Sequence, residues 1–311
     1  MNRTLLRLIP VFQEKIWGGH HLRTAFGYDI PSDKTGECWA ISAHPHGDCA
    51  IANPEFAGET LHSLYKKHPE LFGNLASDRF PLLVKIIDAK DDLSIQVHPD
   101  NAYAKKNENG CFGKSECWYI LDCKPDSSII IGHNANTKEE LISMIDQHRW
   151  SELIREIPIQ KGDFFQINPG CVHAIKKGTL LLETQMSSDV TYRFYDYDRL
   201  ENGKPRQLHL EKCIDVTTVP SESATTTPTE WTAEDATFQE LISIPQYTVC
   251  RVVLNGATHI YWNQSFVNVS ILSGEGLFDG APFKAGDHFI ITADYGEMEI
   301  AGDIEFIYSH I

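Results

Sequence analysis

Between residues 93 and 121 the chain reads LSIQVHPDNAYAKKNENGCFGKSECWYIL, and its polar residues sit where a buried strand pair would carry apolar ones. Side chains alternate faces along a strand. Ser94, Gln96 and His98 therefore share one face of a first strand. Lys114, Glu116 and Trp118 share one face of the next, and the two read as adjoining strands joined by a ragged loop. A third segment, GDFFQINPGCVHA, carries a Gly-Pro turn that presents His173. An amide, two imidazoles and a carboxylate make a mixed nitrogen and oxygen ligand set. Such a set suits Zn²⁺, with Fe²⁺ and Mn²⁺ as alternatives. Each residue alone reads as an ordinary polar side chain; the shared face and the turn-borne histidine together point to a metal.

Other residues are placed for chemistry. Lys85 lies inside the apolar run LLVKIIDA, and a buried lysine without a partner is costly, which favours a functional role. Arg193 in YRFYDYDR points away from the flanking Tyr192 and Phe194. His44 and His46 flank a proline in ISAHPHGDC, which reads as a loop and not as a second metal site. Trp17 reads equally as core or as a pocket wall. Eight cysteines are present without a CxxC pair, so no closed cysteine zinc site is signalled. With no export signal at the start, reduced thiols in a cytoplasmic protein are expected. Cys117 faces away from Glu116 and reads as packing.

The elements that must position these groups are mostly strands. Short runs rich in β-branched and aromatic residues, broken by Gly, Pro, Asn and Asp, predict a barrel or sandwich. Helices are expected over 58–73, over 136–156 with Thr137 and Glu140 as a capping box, and over 208–217. The stretch 217–235, rich in Ser, Thr, Pro and Glu, reads as a linker or crossing segment. It separates a metal-binding catalytic domain with helical elements, 1–216, from a second, metal-free strand-rich domain, 236–311. KGDFFQINPG (161–170) and KAGDHFIITADYG (284–296) form a weak internal repeat, and only the first copy continues to a histidine. The 311 residues can bury a substantial core. A net charge of −16 argues against nucleic acid and anionic membranes as partners. No run of about 18 apolar residues exists, so no transmembrane helix is expected.

GDFFQINPGCVH resembles the second cupin motif. SIQVHPD, GKSECWYIL and VTYRFYDYDR, with VFQEKIWGGHHL, GECWAIS and LLVKIIDA, resemble the type I mannose-6-phosphate isomerases in their short bacterial form, from about residue 7 to the C-terminus. The resemblance implies a mainly β fold of two cupin-like (jelly-roll) β-barrels with a few helices. It implies one Zn²⁺ per chain on Gln96, His98, Glu116 and His173, with Gln96 the weaker ligand. Lys85, Lys114 and Arg193 fall on the family's active-site lysines and arginine, and Glu183 on its downstream acid. Ser94 and Arg199 match positions near the substrate phosphate, and Trp17 matches a pocket-lining tryptophan. Longer members carry a helical insertion for which this chain has no room, and a tyrosine where Ile175 stands here.

The implied reaction interconverts mannose 6-phosphate and fructose 6-phosphate through a cis-enediol. Arg193 stays charged and would stabilise the enediolate, whereas a metal near Lys114 would lower its pKa and let it exchange protons. Glu183, Lys114 and metal-bound water are all candidates for the base. The phosphate end needs fixed cations, for which Arg193 or Arg199 is suited. Two rival readings are a metal-dependent cupin oxygenase and a non-catalytic sugar-phosphate-binding cupin. A hexose 6-phosphate is the expected partner, and a monomer or weak homo-oligomer the expected state.

Overall fold

A computed structural model describes residues 3–222 and 226–311. The chain is mainly β, with three principal sheets and a few short helices. The first sheet contains β2 (Val11–Gly19), β3 (Thr35–Ile41), β4 (Leu82–Ala89), β6 (Glu116–Cys123), β9 (Phe164–Ile167) and β11 (Thr179–Met186), in the order β9-β6-β11-β4-β2-β3. The second contains β5 (Ile95–Val97), β7 (Ser128–His133), β8 (Ile154–Pro158), β10 (His173–Ala174) and β12 (Tyr192–Tyr195), in the order β8-β7-β10-β5-β12. Trp17, Ile87, Trp118 and Leu181 from the first sheet pack with Ile129 and Ile131 from the second in one buried cluster, so the two sheets face each other. Both faces of β4 and β11 are buried, which is why LLVKIIDA and TLLLETQ read as nearly continuous apolar runs.

The third sheet is built from β1 (Leu5–Ile9), β13 (Thr229–Ala233), β14 (Ala236–Ile244), β15 (Tyr247–Trp262), β16 (Phe266–Phe278), β17 (Ala281–Lys284), β18 (His288–Thr292) and β19 (Gly296–His310). β15 and β19 pair without interruption from Thr248 opposite His310 to Trp262 opposite Gly296. Its interior is apolar, centred on Phe278, Phe283, Phe289 and Phe306. The internal repeat is visible here. Gly-Asp turns precede both β9 and β18, and in each the aspartate accepts from the backbone N–H three residues earlier, Asp163 from Gln160 and Asp287 from Lys284, both at 2.8 Å.

Two boundaries differ from the sequence reading. β1 does not belong to the first unit alone: it pairs with β18, Leu5 opposite Ile291, and on its other side with the short strand Ala50–Ile51 of the first unit, which forms the edge of the third sheet. Leu6 and Leu8 on β1 join Ile41, Leu82, Leu241 and Ile290 in a core shared by both units. The stretch 217–235 is not linker throughout, because β13 pairs with β14; residues 223–225 of it lie outside the described residues.

Helices appear at α1 (His21–Phe26), α2 (Leu61–Lys67), α3 (Asn101–Asn107), α4 (Lys138–Asp146), α5 (Trp150–Leu153) and α6 (Leu210–Val216). The expected helix over 136–156 starts as predicted, with Thr137 accepting from the Glu140 N–H. It breaks after Asp146, where His148 adopts φ +53°, and its last residues turn into β8 because β7 offers an open edge. α3 falls in the segment expected to be loop. Its start is nonetheless legible, since Asp100 caps it by accepting from the Tyr103 N–H at 2.7 Å.

Candidate metal centre and active-site cavity

The strands carrying the first two polar clusters are not adjoining. β5 belongs to the second sheet and β6 to the first, and α3 with the loop after it carries the chain across. The ligand candidates therefore meet face to face between two sheets. On the second sheet, Gln96 stands opposite both His173 on β10 and Arg193 on β12, so the three form one cross-strand row. On the first sheet, Glu183 stands opposite Trp118 on β6 and Lys85 on β4, and Lys85 stands opposite Trp39 on β3.

His98, Glu116 and His173 are fully buried and converge. The two Nε2 atoms are 3.1 Å apart. Glu116 Oε1 lies 3.4 Å from His173 Nε2, and Oε2 lies 3.6 Å from His98 Nε2. Gln96 places its amide 3.2 Å from His173 Nε2. His98 Nδ1 is 2.8 Å from the Val190 carbonyl and His173 Nδ1 is 2.9 Å from the Cys171 carbonyl. A carbonyl only accepts, so each Nδ1 carries the proton and each Nε2 turns a lone pair inward. Burial keeps both rings neutral: it drops His173 to about 4 and His98 well below the usual histidine range.

These residues fit a divalent ion. Two opposed lone pairs at 3.1 Å repel unless a cation stands between them. Both carboxylate oxygens of Glu116 are buried without a hydrogen bond. Lys114 Nζ does lie 2.7 Å from Oε2 as an ion pair, so Oε1 is the oxygen left without a cationic side chain beside it among the described residues. Ligands bonded at about 2.0–2.1 Å to a tetrahedral ion stand about 3.3–3.4 Å apart, near the distances seen here. In the absence of an ion, burial and the nearby Glu183 raise the Glu116 pKa.

Next to this centre lies a cavity of about 410 Å³, ample for a sugar phosphate. Trp17, Lys85, Ser94, Gln96, Lys114, Glu183 and Arg193 all line it. Arg199 does not; its guanidinium is turned to Asp196 and to the Asp92 carbonyl. Lys85 has a partner after all, Glu183 Oε1 at 3.2 Å, and its ammonium sits 5.2 Å from the Trp39 ring. Trp118 donates to Glu183 Oε2 at 3.0 Å. Burial pushes Glu183 upward, but Lys114 and Lys85 more than offset this and favour its carboxylate. Burial likewise disfavours the Lys114 ammonium, but Glu116 and Glu183 more than restore it. With both carboxylates at hand Lys114 is therefore held charged.

Glu37, Trp39, Asp189 and Arg206 are among the cavity residues not singled out from the sequence. Glu37 accepts from Trp39 Nε1 at 2.7 Å and pairs with Lys15 at 3.4 Å. Its strand, GECWAIS, alternates in a way that could have flagged it. Asp189 accepts a hydrogen bond from His46 at 2.6 Å and lies 3.6 Å from His44 on the rim, so the HPH loop, read from the sequence as no second metal site, does form a group of three potential ligands. Arg206 lies in a loop with no period to betray it.

Residues 5–133 match the family model of the phosphomannose isomerase type I catalytic domain, and residues 238–311 match that of the mannose-6-phosphate isomerase cupin domain. The mannose-6-phosphate isomerase ManA of Bacillus subtilis is 48% identical over 307 residues, covering 97% of each chain. The mannose-6-phosphate isomerase of Streptococcus mutans is 45% identical over 96% of this chain and 95% of that one. The crystal structure of the mannose 6-phosphate isomerase from Bacillus subtilis superposes with a TM-score of 0.97 at 46% identity, covering 99% of this chain and 100% of the other.

Proposed function

The chain belongs to the type I phosphomannose isomerase family, and from that premise we propose that it is a zinc-dependent isomerase interconverting mannose 6-phosphate and fructose 6-phosphate through a cis-enediol. The observation that carries the proposal is the pair of inward Nε2 lone pairs on His98 and His173 beside the fully buried carboxylate of Glu116. His98, Glu116 and His173, with Gln96, would hold the ion, which when bound supplies a Lewis acid that polarises and orients the sugar's carbonyl and hydroxyl oxygens.

The remaining chemistry falls to side chains lining the cavity. Glu183 is held ionised, and its Oε1 makes no hydrogen bond. It takes the proton from C2 and returns it to C1. Negative charge that builds on the C1 oxygen meets the ammonium of Lys114 and the guanidinium of Arg193. As O1 gains a proton and O2 loses one, Lys114 serves that exchange. Trp17 and Trp39 wall the cavity and keep bulk water from the carbanion.

A cavity lined by Lys85, Lys114, Glu183 and Arg193 suits a charged polyol better than the apolar substrate of an oxygenase. The test is a coupled assay for fructose 6-phosphate formation from mannose 6-phosphate, run anaerobically with and without chelator. Turnover without oxygen, lost on chelation and restored by zinc, is expected. Binding of the sugar phosphate without turnover would instead support a sensor.

A further inference from the structure

One end of the cavity carries more positive charge than the reacting carbons require. Arg193 has no carboxylate partner among the described residues, and its Nε is buried without an acceptor. Arg206 also lines the cavity. Its Nε and Nη2 donate to Asp196 at 2.7 and 2.6 Å, leaving Nη1 without a protein acceptor among the described residues. Asp196 is itself buried, 4% exposed at the side chain. Arg199 grips the same aspartate from behind, with Nη2 on Oδ1 and Nε on the backbone carbonyl, while Nη1 is spent on the Asp92 carbonyl. Two guanidiniums thus grip one carboxylate, and one of them, Arg206, lines the cavity together with Arg193. Burial and the neighbouring Arg206 make the charge on Arg193 harder to hold. Like cations in a partly dry cavity favour an anion between them.

The position along the strand fits as well. Arg193 stands opposite Gln96 in the metal row, and Ser94, which lines the cavity just before β5, lies two residues from Gln96, roughly 7 Å away. That is comparable with the span of a hexose from its reacting carbons to its 6-phosphate. We infer that Arg206 is the principal ligand of the substrate's 6-phosphate, flanked by Arg193 and the Ser94 hydroxyl. Asp196 and Arg199 are positioning residues: Asp196 fixes the plane of the Arg206 fork, and Arg199 fixes Asp196. This rests on the isomerase reading and deepens it, moving the phosphate contact expected at Arg199 to Arg206.

The experiment compares Arg206→Gln, Arg206→Lys and Arg199→Gln with the wild type in the zinc-loaded enzyme, using two readouts. The first is steady-state kinetics on mannose 6-phosphate. The second is protection from thermal unfolding by inorganic phosphate, which needs no turnover. Arg206→Gln is expected to raise KM at least about tenfold while kcat stays within about threefold, and to lose most phosphate protection. Arg206→Lys keeps the charge but not the fork and should fall between. Arg199→Gln should raise KM less than Arg206→Gln. Wild-type KM and phosphate protection in Arg206→Gln overturn the inference, as does a larger KM effect from Arg199→Gln. If Arg206→Gln does not fold, Arg206→Lys is read in its place, and wild-type values there overturn it. A wild type that phosphate protects through Arg206 but that does not turn over would end the isomerase reading and leave the phosphate site standing.

Discussion

At the scale of single residues, the proposed function divides the site into groups that would hold the ion and groups that would act on the sugar. His173→Ala removes one inward lone pair from a fully buried set, so bound zinc and turnover should both be lost while the fold is retained; metal analysis and circular dichroism check this. Arg193→Ala should keep zinc, because no hydrogen bond or ion pair joins Arg193 to His98, Glu116 or His173, and should lower kcat by roughly 10²–10³ as the loss of a preorganised charge does. A turnover number unchanged in Arg193→Ala would remove it from the mechanism. Outside the site, His288 is buried in the third sheet between Tyr28 at 2.8 Å and Ser270 at 2.9 Å. Burial drops its pKa to about 3. Between about pH 6.5 and 3 the unfolded chain binds a proton that the folded chain refuses, so stability falls as pH falls through that window. From pH 7 to 5 the wild type should lose about 2 kcal/mol more than His288→Gln, measured by urea unfolding. Gln96, His98, Glu116 and His173 were legible because strand alternation and a turn motif encode side-chain direction. Arg206 and Asp196 were not, since the pairing that aims them closes across a short hairpin, Leu200–Glu201 with Lys204–Pro205, too brief to show a period.

At the scale of elements, the ligand His173 depends on the turn that precedes β10. Gly170 in that turn has φ +84°, and a Cβ there would lie 2.4 Å from Thr218 Oγ1 and 2.9 Å from the Val216 carbonyl. Its N–H donates to the His98 carbonyl at 2.9 Å, tying the turn to the other histidine ligand. Gly170→Ala should therefore cost about 1–3 kcal/mol of stability and also weaken zinc binding, which a chelator competition would register. Arg193 is fixed in a similar way, because His209 at the start of α6 bonds both its backbone N–H and its carbonyl. The strands were readable from residue type. Their partition into two facing sheets was not, because short-range pattern is silent on which strand pairs with which. β5 and β6 look adjacent in sequence, yet each finds its neighbours far along the chain, β10 and β12 for one, β9 and β11 for the other. The break of the helix expected over 136–156 has the same origin, an open edge on β7 that local propensity does not record.

At the scale of the whole molecule, β1 binds the two units into one. Leu6 and Leu8 fill a core to which both contribute, and Tyr247 of the second unit reaches Gln166 of the first at 3.1 Å. Deleting residues 1–10 should strip the edge of β18 and open that shared core. Unfolding of the full chain should then be a single cooperative transition by fluorescence and circular dichroism alike, and the truncated chain should lose several kcal/mol or fail to fold. Two separate transitions in the intact protein would show that the units stand alone. The pairing of β1 with β18 also sets a timetable for biogenesis. Leu5 leaves the ribosome well ahead of Ile291, a wait of roughly a quarter of a minute to a minute at ordinary elongation speeds. Throughout that interval β1 has only Ala50–Ile51, opposite Leu8 and Ile9, as a strand partner, and its Leu5–Arg7 stretch stays unpaired. Newborn chains should accordingly lean on holding chaperones, and a bulky fusion ahead of β1 should hinder maturation more than one placed after Ile311.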